Sequence, residues 1–232
     1  MNWLAKSRPD GAATAAATSK PGPASAHSNS KVRTSSGLKE FLWQIGDAPR
    51  ARILDLGPVW QATVSFFAEK GYRISTEDLL GTWKQFLTTE EERLRSAPVG
   101  ADDENERLSS SVLAGKFLET ALQYGEESFH GALAWDLLDY FDGPAATRIM
   151  DRLFSILQPG GGLLALFHSR APERFHRYRI VDTQTVELLP APTLAVHARV
   201  LQNREIMELF QKFRSSKTFV GRDQIRESLF LK

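Results

Sequence analysis

The stretch ARILDLG places an acidic side chain, Asp55, at the end of a short apolar run and a glycine, Gly57, two positions later. A carboxylate at the mouth of a buried strand is costly unless it binds something, so this pair points to a ligand rather than to a plain turn. Glu77 and Asp78 follow about twenty positions on, the separation at which a carboxylate reaches the hydroxyls of a ribose. Strand neighbours face opposite sides, so one of the two is aimed at the ligand and Asp78 is favoured over Glu77. Trp135 and Asp136 close a third apolar run, where a reacting group would lie, and Asp136 is suited to take a proton. His168 closes a fourth run and is the reserve proton acceptor, although a hydrogen-bonded histidine at a strand end is the commoner role. Tyr140, a few residues past Asp136, could line a pocket there, although core or lip packing is the commoner role for such a residue.

These residues need a scaffold, and the periodicity supplies one. Leu38, Phe41, Leu42 and Ile45 recur at helical spacing over Ser36 to Gly46. A strand over Ala51 to Leu56, a helix built on Trp60, Val64, Phe67 and Ala68 and closed by Gly71, and a second strand over Tyr72 to Thr76 make a βαβ unit. Such a unit implies a parallel sheet with its ligand crevice at the carboxyl ends of the strands. Further helices are predicted over Leu79 to Arg95 and Pro144 to Leu157, and further strands over Phe129 to Trp135 and Gly162 to His168. Ser96 to Glu106 reads as an exposed acidic loop, and Ser109 to Tyr124 is ambiguous between a helix and a short strand near Lys116 to Thr120. Tyr178 to Leu189 alternates like a hairpin, Asn203 is the expected cap of a helix to Phe213, and Ser216 to Val220 and Glu227 to Leu231 read as closing strands. The fold class is therefore α/β, doubly wound and Rossmann-like, mostly parallel, with an antiparallel C-terminal strand.

Residues 1–35 are rich in Ala, Ser, Thr, Gly and Pro with almost nothing large and apolar, and are expected to be a disordered tail before one domain over 36–232. Lys and Arg total 29 against 28 for Asp and Glu, so no net field draws the protein to nucleic acid. A chain with no Cys cannot carry a disulfide scaffold, an iron–sulfur cluster or a thiolate zinc site, and it fits a cytoplasmic location. None of the five His shows metal-ligand spacing, and no apolar run is long enough to span a membrane. Nucleophile-elbow, P-loop and HExxH patterns are all missing. Arg170 to Arg179 interleaves Arg174, His176 and Arg177 with Phe175 and Tyr178, a phosphate- and base-binding combination that here reads first as a solvated connector.

Taken in order, Asp55-Leu56-Gly57, GYRISTEDL, ESFHGALAWDLLDYF and LQPGGGLLALFH resemble the class I S-adenosylmethionine-dependent methyltransferases over roughly Leu38 to Lys232. The resemblance implies S-adenosyl-L-methionine as cofactor, held by Asp55, Gly57, Pro58, Asp78, Ala134 and Trp135. Glu119 is the nearest candidate for the acidic residue on the adenine. It implies in-line methyl transfer to an acceptor, a small molecule being favoured, with Asp136 or His168 taking the proton and Tyr140 lining the acceptor pocket. The chain departs from the family pattern in two places. Pro58, Val59, Trp60 and Gln61 replace the later glycines of the turn, and His130 replaces an acidic residue. Each lost glycine puts a Cβ where backbone would approach the methionine end of the cofactor. Two alternatives therefore stay open: a catalytically inactive relative serving as an interaction module, and a dinucleotide-binding oxidoreductase, whose GxGxxG positions are here Gly57, Val59 and Ala62.

Overall fold

The computed structural model describes residues 30–46, 48, 50–96, 109–192, 198–221 and 223–232. Its main sheet has six strands. In chain order these are β2 (Arg52–Asp55), β3 (Arg73–Thr76), β4 (Phe129–Trp135), β5 (Leu157–His168), β8 (Ser215–Val220) and β9 (Ile225–Leu231). They lie in the spatial order β3-β2-β4-β5-β9-β8. β3, β2, β4 and β5 run parallel, while β9 is antiparallel to both β5 and β8. The doubly wound, mostly parallel sheet read from the sequence is thus present, and the chain reverses its direction of winding between β2 and β4.

One face of the sheet is covered by α3 (Leu79–Arg95), α4 (Ser110–Leu118), α5 (Gly143–Ile156) and α6 (Asn203–Leu209), packed through residues such as Trp83, Phe117, Ile149 and Ile206. The other face is covered by α1 (Ser36–Ile45) and α2 (Gln61–Glu69) and by a small antiparallel sheet, β1 (Lys31–Thr34), β7 (Thr185–Pro190) and β6 (His176–Ile180). The helices begin as their sequences dictate. Ser35 accepts from the Leu38 N–H, Asp78 from Gly81 and Asp142 from Ala145, each satisfying an orphan donor of a first turn. Gly71 closes the turn after α2 with a φ of +79°, where a side chain would be strained.

Two expectations change and one ambiguity is resolved. Lys31 to Ser35, assigned above to the tail, form β1 and the cap of α1, and β1 pairs with β7. The reason is electrostatic: Arg33 is buried and ion-paired to Asp223 and Glu227, both at 2.8 Å, so a polar segment is held by charge rather than by apolar burial. The rest of the expected tail, most of the acidic loop after Ser96, and His197 lie outside the described residues. The ambiguous Ser109 to Tyr124 segment is helical over α4, with no strand at Lys116 to Thr120, because Leu113, Ala114 and Phe117 fill one helical stripe against Trp83. Asn203 is not the cap of α6. Gln202 is, its N–H donating to Glu205 at 2.7 Å, and the helix ends at Leu209. No helix among the described residues is long and apolar enough to cross a membrane.

Candidate functional site

The point where the winding reverses, at the carboxyl ends of β2 and β4, is where a doubly wound sheet ordinarily binds its ligand. Asp55 ends β2 and is almost fully buried. Its Oδ1 accepts from the Gly57 N–H at 3.0 Å and from the Trp135 indole N–H at 2.7 Å. Burial outweighs these bonds and raises its carboxyl from the usual 3.8 to about 6. Trp135 reaches Asp55 because β4 breaks register between Leu133 and Trp135, and Trp135 itself turns into the left-handed region, φ +49°. That conformation costs a bulky residue on the order of 1–2 kcal/mol, offset here by the indole's hydrogen bond and packing. A Cβ on Gly57 would lie 3.1 Å from the indole nitrogen. The glycine of the turn therefore makes room for Trp135, a residue of the same protein.

The small sheet completes the enclosure. Tyr178 of β6 stacks on Trp135 with ring centroids 5.3 Å apart and planes 4° from parallel. The Ile180 N–H donates to Thr63 Oγ1 at 3.1 Å, pinning β6 to α2. Arg177 pairs with Asp78 at 2.9 Å, and the other Asp78 oxygen lies 3.0 Å from a second guanidinium nitrogen. Asp78 also caps α3, so both its oxygens are committed. What remains among Gly57, Pro58, Ala134, Trp135, Arg177 and Tyr178 is a void of about 10 Å³. That is room for about one water molecule.

Behind this void lies a second polar group. Asp136 is buried at the N-terminus of a 3₁₀ turn, Leu137–Tyr140, but its side chain makes no capping bond. Burial lifts its carboxyl to about 6, opposed by the positive potential of His168, whose Nδ1 lies 4.0 Å away. Asp139, fully buried, accepts from both the backbone N–H and the Nδ1 of His168, at 2.8 and 2.9 Å. Burial alone would depress the His168 imidazole, but Asp139 and Asp136 outweigh it and hold it above its ordinary value. The hydroxyls of Tyr140 and Tyr178 are buried beside the Asp136 carboxylate, where the Tyr178 hydroxyl favours its charged form, and burial first, then Asp136, pushes both phenols up.

The structure thus gathers Asp55, Gly57, Pro58, Asp78, Ala134, Trp135 and Asp136 around one crevice, with His168 and Tyr140 adjoining Asp136. Glu119 is a correction: it is the exposed C-cap of α4 and does not line the crevice. Glu77 points elsewhere, accepting from the Leu122 N–H at 3.0 Å. His130 is structural, its ring lying 3.1 Å from the Arg52 N–H that donates to it. The reading of Arg177 and Tyr178 as part of a solvated connector is also corrected, since both seal the crevice. Their signal in the sequence was the alternation of Phe175 to Ile180, which turns Tyr178 and Ile180 inward on the same face.

Fold and site together define a doubly wound α/β protein whose switch-point crevice is occupied by its own second sheet. No protein-family model matches the chain, and no curated protein matches it. Methyltransferases recur among the solved structures it is similar to. One is the 1,6-didemethyltoxoflavin-N1-methyltransferase of Burkholderia thailandensis with bound 1,6-didemethyltoxoflavin and S-adenosylhomocysteine, at 18% identity and a TM-score of 0.44, covering 84% of this chain and 76% of that one. Another is the glycopeptide N-methyltransferase MtfA complexed with S-adenosylmethionine, at 16% identity and 0.40, covering 84% and 94%. The [4+2]-cyclase SpnF is similar at 12% identity and 0.43, covering 84% and 78%. At these values the assignment of the fold rests on the strand order above.

Proposed function

We propose that this protein is a methyltransferase-like domain that has given up its S-adenosylmethionine crevice and serves as a non-enzymatic binding module. The observation that carries this reading is the seating of β6: Tyr178 on Trp135 and Arg177 on Asp78 leave about 10 Å³ where a cofactor-sized ligand needs at least about 300 Å³. The residues do not fit the cofactor. Asp78, the carboxylate suited to a ribose diol, is bound to a guanidinium, and Asp55 is satisfied by an indole and an amide. The altered turn, with Pro58, Val59, Trp60 and Gln61 in place of glycines, supports the same reading. The retained Asp55-Leu56-Gly57 and Asp78 favour a second reading, methyl transfer after β6 has left the crevice.

Calorimetric titration with S-adenosylhomocysteine separates the two. The first reading expects no binding to the intact protein. Micromolar affinity in the intact protein would overturn it in favour of the second. The Arg177→Ala/Tyr178→Ala double variant adds a finer result: binding that appears only there would mean that the crevice is masked rather than lost.

A further inference from the structure

A larger cavity adjoins the crevice, the two sharing His176 in their walls. Its volume is about 300 Å³, and it opens between the end of β5, the chain leading into β6, the first residue of β1 and the turn before β9. Five of its lining residues are basic or imidazole: Lys31, His168, Arg170, Arg174 and His176. The chain thus brings cations from two segments far apart in sequence, Lys31 and residues 168–176, to one hollow. Lys31, Arg170 and Arg174 are exposed at its rim, His176 is half-buried in its wall and His168 is buried at its floor.

Two acidic residues also line it, and they do not balance this charge. Asp223 is taken by the Arg33 guanidinium at 2.8 Å, and Arg33 is paired again to Glu227. That leaves Glu173, which is exposed and forms no ion pair with any of the three cations. Lys31, Arg170 and Arg174 likewise have no carboxylate partner among the described residues. The mutual repulsion is felt at His176, held below its ordinary value first by burial and then by His168, Lys31 and Arg174. A site with unpaired guanidinium forks and an ammonium, walled by imidazoles, is complementary to a phosphate group. The cavity is larger than a phosphate alone requires, and Leu188, Ile225 and Pro172 give the remainder an apolar surface.

We propose that this cavity binds a small phosphate monoester, the phosphate held by Arg170, Arg174 and Lys31 over His176 and the organic part set against Leu188 and Ile225. His176 also lines the crevice, but Lys31, Arg170 and Arg174 do not, so the phosphate contacts proposed for them stand whichever reading of the crevice holds.

Calorimetric titration of the full chain in chloride buffer tests it, with phenyl phosphate as the ester and inorganic phosphate as the free ion. The proposal expects phenyl phosphate to bind more tightly than inorganic phosphate. Arg170→Ser/Arg174→Ser, which changes two exposed side chains outside the folded core, should weaken phenyl phosphate binding by about tenfold or more. The control Arg204→Ser, on the exposed face of α6, should leave it unchanged. Failure of phenyl phosphate to bind, or equal loss in the control, overturns the site. Equal affinity for inorganic phosphate overturns the ester and leaves the free ion as the ligand.

Discussion

The crevice at the ends of β2 and β4 and the cavity beyond β5 lie at one end of one sheet, yet they treat charge in opposite ways. In the crevice every carboxylate at the β2 and β3 ends has a partner from the chain itself: Asp55 has Trp135 and Gly57, and Asp78 has Arg177 and the first turn of α3. In the cavity Lys31, Arg170 and Arg174 have no carboxylate partner among the described residues. A polar group already hydrogen-bonded within the protein gains little by exchanging that bond for one to a ligand, whereas an unpaired cation keeps its full attraction for an anion. The contrast teaches that residue types resembling a binding site do not make one. What counts is whether their bonds are still available.

The largest test of this contrast is at Tyr178. Its ring is buried against Trp135, so Tyr178→Ala should cost about 3–5 kcal/mol of unfolding free energy, the range for removing a buried aromatic side chain. Tyr178→Phe keeps the ring and removes only a buried hydroxyl that faces the Asp136 carboxylate, so it should cost much less, about 1 kcal/mol. Denaturant unfolding of the two variants reads this directly. A small loss for Tyr178→Ala would mean that β6 rests loosely on the crevice and that the seal is not structural.

The next effect is on the dependence of stability on pH. Asp55 and Asp136 are raised by burial from 3.8 to about 6, and His168 is held above its ordinary value by Asp139 and Asp136. In each case the folded protein holds its proton more tightly than the unfolded chain does. The stabilisation is therefore full at low pH and is lost as pH rises through about 6 for the carboxyls, and beyond that for His168. Asp136→Asn cannot ionise, so it should become more stable relative to the parent as pH rises from 4 to 7, by an amount on the order of 2 kcal/mol. A stability difference that stays constant over that range would show that Asp136 is not carrying a raised pKa.

Most of the scaffold is legible in the sequence, and the reasons are visible in particular elements. β4 over Phe129 to Trp135 coincides with its predicted range because it is a buried apolar run, and α3 over Leu79 to Arg95 because apolar periodicity and the Asp78 cap agree on where it begins. The carboxylates and Gly57 of the crevice were also legible, since an acid at the end of a buried strand stands out locally. What occupied them was not. Arg177 lies far along the chain from Asp78 and Tyr178 from Trp135, and such pairings depend on how a second sheet docks, which local periodicity does not encode. β1 escaped notice for the same reason, because the partners of Arg33 are Asp223 and Glu227 near the opposite end of the chain. Glu119 was misplaced because the segment that read equally as a helix or a short strand is α4, whose stripe of Leu113, Ala114 and Phe117 is used up on the helical face.

The smallest effect is expected at the ion pair that closes the crevice. Asp78 has two tasks: one oxygen caps α3 through the Gly81 N–H at 3.1 Å, and both oxygens meet Arg177. Asp78→Ala removes both and should cost about 1–2 kcal/mol, most of it from the cap. Asp78→Asn keeps a capping oxygen and loses only the charge. Because the Asp78 side chain is 34% exposed and Arg177 18% exposed, solvent screens the pair and its coupling should be no more than about 1 kcal/mol. A double-mutant cycle of Asp78→Asn and Arg177→Met isolates that coupling, since the methionine retains the apolar stem of the arginine. If the coupling is near zero while Tyr178→Ala is strongly destabilising, the crevice is held shut by aromatic packing and the ion pair serves only to satisfy Asp78. A coupling of several kcal/mol would reverse that order, and would make the guanidinium rather than the stacked rings the element that must move before any ligand could enter.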